Sequence, residues 1–147
     1  MTNLRNWFDP KGCPATAHRL GCLVSELPID LKRDEAQVTA LVKHLGKYKL
    51  PGIKTETSLP VRTTLLHFLF PAVVPIFDKM VLQAVGISDK FANQKIGFLK
   101  AYLPFAWALA DRYAAHFVNF STETPIRLVD MALWVSRGGC APSGSKP

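Results

Sequence analysis

The sequence predicts an all-α protein, a single compact domain of five to seven helices around a buried central helix pair. Three observations lead there. Apolar residues recur at helical spacing in successive segments, and no segment alternates apolar and polar residues with the two-residue period of a strand. The stretch 59–86 holds two apolar helical runs, and the first, 59–70, is apolar on nearly every side, the pattern of a helix buried in a core. Pro71 and Pro75 divide that stretch at an elbow, because a proline inside a helix removes a backbone donor and clashes with the preceding turn.

The chain has 147 residues and 48% of them are apolar, enough for one domain with its own core. An irregular arm over 1–12, a helical domain over 13–137 and a disordered small-residue tail over 138–147 are expected. In the arm, Asp9-Pro10-Lys11-Gly12 is a turn signal, and Trp7 and Phe8 are its expected anchor. A first helix is expected from Pro14 to Leu27, with Leu20, Leu23, Val24 and Leu27 on one face and Pro28 as its stop. A second runs from Lys32 to Lys49 and buries Val38, Leu41, Val42 and Leu45. Asp34 and Glu35 in its first turn, and Lys47 and Lys49 in its last, complement the helix dipole.

The central pair is read as Leu59 to Phe70 and Pro75 to Gly86. The glycine suits the left-handed residue that closes many helices. Ser88 is the expected cap of a fifth helix, which reaches Phe120 and bends at Pro104. Thr124 and Pro125 open the last helix as a cap and a first-turn proline. It ends at Arg137, before Gly138-Gly139.

A net charge of +7 and a pI near 9.5 favour an anionic partner, DNA or another nucleic acid. The basic residues are densest between 32 and 54. Lys47, Lys49, Lys54, Arg62 and Lys79 are the candidate nucleic-acid contacts. Arg62, His67, Asp78 and Lys100 interrupt the oily runs, and the N-terminus has no signal-peptide pattern, so no membrane partner is expected. Three cysteines, an odd number with no Cys-x-x-Cys, point to a reducing cytoplasm. A second copy of the chain is a further candidate partner, through its oily helices.

Asp78 is the candidate catalytic or ligand-binding acid, since a carboxylate in an apolar segment needs donors or a cation. Its structural alternatives are a helix cap or a partner for an arginine. His67 is the candidate general base, with a satisfied core histidine as the alternative. Cys13, His18 and Cys22 lack the four-ligand pattern of a closed zinc site, so no metal is expected, and no cofactor motif occurs. Arg127, Asp130, Met131 and Trp134 share a face of the last helix. Arg127 and Asp130 are spaced to pair, and Trp134 reads as a core or a stacking residue. Asp111, Arg112 and His116 form a polar stripe expected to be solvated.

Leu50-Pro51-Gly52, a basic turn, a buried helix and then Ile76-Phe77-Asp78 follow one another in an order that resembles the helix-hairpin-helix DNA glycosylases. The likeness covers about residues 50–86. It implies that the hairpin grips a DNA backbone and that Asp78, with Val81 three residues on, serves glycosidic chemistry. Lys54 stands where that hairpin has its second glycine, and Met80 and Gln83 where the family tends to carry His and Arg. Leu65-Leu66-His67-Phe68, Val74-Pro75-Ile76-Phe77-Asp78 and Ala132-Leu133-Trp134 also resemble small bacterial helical proteins of uncharacterised function, which implies a shared fold. Three functions are therefore expected to compete. The first is a glycosylase-like nucleic-acid-binding domain, the second a helical interaction module that dimerises, and the third a small-molecule site beside Asp78.

Overall fold

The computed structural model describes residues 21–48, 59–117 and 123–136, and among them the chain is all-α, with no strand. Residues 21–26 are helical. Then come α1 (Glu35–His44), a 3-10 turn (Leu45–Lys47), α2 (Leu59–Leu69), α3 (Lys79–Ala84), a second 3-10 turn (Ala92–Gln94), α4 (Ile96–Phe117) and α5 (Pro125–Ser136). The expected arm, the start of the first helix, the hairpin over 50–52 and the tail lie outside the described residues.

The Asp34 side chain accepts from the Gln37 amide at 2.8 Å and so caps α1 from outside rather than sitting in its first turn. Val38 and Val42 then face inward, and Leu45 and Tyr48 continue the buried stripe. In α2 the side chains of Leu59, Thr63, Leu65 and Leu66 are buried, but Phe68 and Leu69 are exposed. The helix was expected to be enclosed on nearly every side. Its last turn instead projects beyond its neighbours, where Pro71 ends the helical ladder.

The helix expected from Pro75 begins at Lys79; residues 74–78 form no regular element, and Asp78 is extended. Pro75 pushes its predecessor out of helical geometry, and Asp78 is the stronger cap. Gly86 ends the helix with φ 85°, as its position suggested. The Gly86 amide donates to Gln83 at 3.1 Å and the Ile87 amide to Leu82 at 2.9 Å, the paired closure that a left-handed glycine permits.

Ser88 does not cap the long helix. Asp89 captures the Phe91 amide at 2.8 Å with its side chain and the Ala92 amide at 3.0 Å with its carbonyl. This local bonding makes a short turn first and delays α4 to Ile96. From there α4 runs unbroken through Pro104 to Phe117. It packs on α5 and α1, and α5 packs on α3. Leu66, Phe77, Leu99, Leu103 and Ile126 form the centre of the core.

Candidate functional site

Breaking the helix at Pro71 and Pro75 leaves backbone groups that α2 and α3 do not satisfy, and these need partners in a dry interior. The Val73 and Val74 amides turn back to the Phe70 carbonyl at 3.0 and 2.9 Å. Side chains from elsewhere in the fold supply the rest. The Pro71 carbonyl accepts from Thr124 Oγ1 at 2.8 Å, and the Ala72 carbonyl from Arg33 Nε at 3.2 Å. Trp107 Nε1 on α4 donates to the Val73 carbonyl at 2.6 Å. His67 Nδ1 on α2 donates to the Val74 carbonyl at 2.6 Å. The Ile76 amide donates to Asp130 Oδ2 on α5 at 2.9 Å, and the Phe77 amide to Thr63 Oγ1 on α2 at 3.1 Å. The elbow is thus fixed from every helix around it.

Asp130 is the chemically unusual member. It is 3% exposed, and Tyr102 supplies only a long hydroxyl contact to Oδ1 at 3.4 Å. Burial raises its pKa from 3.8 to about 7, outweighing the Ile76 N–H, the Arg127 charge and the Tyr102 hydroxyl, while the Asp78 charge adds to the rise. Burial likewise pushes the Tyr102 hydroxyl well up, with Asp130 contributing. Burial lowers the His67 pKa, more than the Val74 carbonyl raises it, so the ring is neutral at pH 7. Its Nδ1 hydrogen points at Val74. Asp130 Oδ2, 4.0 Å away, is therefore a neighbour of the ring rather than its hydrogen-bond partner or a salt bridge.

Beside this elbow opens a cavity of about 390 Å³. Ile76, Asp78 and Val81 line one side, and Arg127, Asp130, Met131, Trp134 and Val135 of α5 line the other. Asp78 is half-buried and caps α3, its Oδ1 accepting from the Val81 amide at 2.8 Å. One of its expected structural roles is therefore present, and the same residue also faces the cavity.

The other expected residues are scattered. His67 is 4% exposed, a satisfied core histidine. Lys79 is exposed at the start of α3. Lys47 is exposed and bonds Glu26 at 2.7 Å. Arg62 does not belong to an exposed basic face. It is 2% exposed, and its Nη1 donates to the Val42 carbonyl at 3.4 Å. Gly46 makes room for it, since a Cβ there would lie 3.0 Å from Nη2. Lys49, Lys54, Cys13 and His18 lie outside the described residues. Among the described residues, no group of three His, Cys, Asp or Glu side chains could hold a metal ion. No described helix is long and apolar enough to cross a membrane.

The expected Arg127–Asp130 ion pair does not form, because Asp130 turns inward to the Ile76 amide. Asp111, Arg112 and His116 are all exposed, as expected of a solvated stripe, and Arg33 Nη1 pairs with Asp111 at 2.5 Å. What the sequence reading missed is the central position of Asp130. The signal was present: Asp130 shares its helical face with Ile126 and Leu133, apolar residues one turn away on each side. No family model, curated protein or solved structure matches this chain.

Proposed function

We propose that this chain is a small-molecule-binding helical domain whose ligand sits in the cavity between the start of α3 and the face of α5. The observation that supports this is the convergence of two carboxylates, Asp78 and Asp130, on one apolar cavity of about 390 Å³. Small-ligand sites are concave, mostly apolar and equipped with a few fixed polar groups, and their volumes run from roughly 300 to 1,000 Å³. The test is amide chemical-shift mapping of isotope-labelled protein against a library of small organic fragments. Binding should shift Ile76, Asp78, Val81 and residues 127–135. Val135→Trp, at an exposed wall position, should abolish those shifts. A library that shifts none of these amides would sink the reading.

The net charge of +7 supports a second reading, nucleic-acid binding. Exposed Lys79 stands next to Asp78, and exposed Lys47 belongs to the basic stretch over 32–54. Reversing Lys47, Lys49 and Lys54 to Glu should weaken duplex DNA binding. Each lost phosphate contact should flatten the log–log salt slope by about one. A wild-type protein that gives no mobility shift at low salt would end this second reading.

A further inference from the structure

The cavity beside the elbow carries three ionisable groups against an apolar wall, and that combination selects among small molecules. Asp78 spends Oδ1 on capping α3, and Oδ2 carries no hydrogen bond among the described residues. Arg127 is half-buried at the same cavity, and no ion pair engages it among the described residues. Asp130 is electrostatically coupled to both, to the Arg127 guanidinium and to the Asp78 carboxylate. The remaining wall is Ile76, Val81, Met131, Trp134 and Val135.

Each simpler ligand leaves one of these groups badly placed. An anion pairs with Arg127 but meets two acids. A cation pairs with Asp78 but meets Arg127. A neutral apolar molecule displaces water from both charges and offers neither a partner, which costs desolvation without return. A zwitterion supplies an anion for Arg127 and a cation for Asp78 at once. The volume lies at the small end of ligand sites, which suits a molecule of metabolite size.

We propose, resting on the reading of this cavity as a ligand site, that it binds a free α-amino acid with a large apolar side chain. The carboxylate pairs with Arg127 in the forked geometry that guanidinium favours. The ammonium faces Asp78, with Asp130 behind it. The side chain lies against Val81, Met131 and Trp134, where an aromatic or branched group excludes water.

The test is calorimetric titration of the full chain with L-leucine, L-methionine, L-phenylalanine and L-tryptophan, alongside 2-phenylethylamine and 3-phenylpropanoate. At least one amino acid should bind. For L-phenylalanine or its nearest binder, loss of either charged group should weaken binding tenfold or more. Arg127→Met should weaken amino-acid binding tenfold or more and leave phenylethylamine unchanged or improved. Asp78→Asn, which keeps a capping oxygen, should do the same to the amino acid and spare phenylpropanoate. Equal binding of the amine or the acid by wild-type protein would overturn the assignment. So would failure of all four amino acids while fragments still shift Ile76, Asp78 and residues 127–135, an outcome that leaves the cavity a ligand site of another class. If no fragment shifts those amides either, the site itself is lost along with its proposed ligand.

Discussion

The elbow over 71–78 and the cluster around Glu26 are built from the same kinds of bond and differ in their access to water. Glu26 is exposed and gathers Lys47 at 2.7 Å, His44 at 3.1 Å and the Tyr48 hydroxyl. Those partners, Lys47 first, hold its pKa at about 2. Water replaces the exposed Lys47 and His44 bonds when they break, so the cluster orients the end of α1 without holding the fold together. The elbow gathers Thr63, His67, Trp107 and Asp130 around backbone groups, and the Phe77 amide and Val74 carbonyl among them are buried away from solvent. There a lost partner leaves a buried donor or acceptor unsatisfied, which is the expensive case. A strongly shifted pKa at Glu26 therefore says less about stability than one ordinary hydroxyl at Thr63.

That contrast can be broken in order of size. Leu66 is fully buried in the helix that carries Thr63 and His67. Leu66→Ala should cost about 2–5 kcal/mol in urea unfolding. A change below about 1 kcal/mol would mean that α2 does not back the elbow. Thr63→Val keeps the shape but removes the oxygen that receives the Phe77 amide. A loss of about 1–3 kcal/mol is expected, and a neutral outcome would show that water reaches that amide. Asp78→Ala should cost about 0.5–2 kcal/mol by removing a cap, while Asp78→Asn should retain most of it. Equal losses for both variants would mean that the charge, rather than the cap, stabilises α3.

Glu26→Gln should have the smallest effect, with a thermal midpoint at pH 7 closer to wild type than any elbow variant. Because the Glu26 pKa is depressed in the fold, any contribution is present above the unfolded value of 4.5. It fades as pH falls toward 2. A midpoint shift exceeding that of Thr63→Val would reverse the ranking of the two regions.

The helical stripes were legible because burial on one face of a helix repeats every 3.6 residues, and Val38, Val42 and Leu45 keep that repeat. Gly86 was legible because only its backbone freedom suits the closing turn. The start of α3 was not, because two valid local signals competed. Pro75 suits a first turn, and Asp78 suits a cap. The deciding bonds come from Thr63, 14 residues before Phe77, and from Asp130, 54 residues after Ile76. Spacing along the chain carries no information about such partners. Arg62 misled for a related reason, since charge suggests a surface, and the room left by Gly46 appears only once α2 is packed. One side of the cavity wall, Ile76, Asp78 and Val81, sits in the stretch the sequence marked as central. The other side depends on how α5 docks.

Asp130 gives the most direct test of a sealed elbow held from outside. Its folded pKa of about 7 lies above the unfolded 3.8, so the fold prefers the protonated carboxyl. Its contribution is fullest below about pH 4 and is lost as pH rises through about 7. Asp130→Asn keeps an oxygen for the Ile76 amide and cannot titrate. Tyr102, His67, Arg127 and Asp78 remain in both proteins, so their own titration largely cancels. The measurement is the unfolding free energy of wild type minus that of Asp130→Asn from pH 4 to pH 8. The difference should fall by on the order of 4 kcal/mol up to about pH 7 and then level off. A difference that stays flat across that range would show that water reaches Asp130 and that the elbow is not sealed.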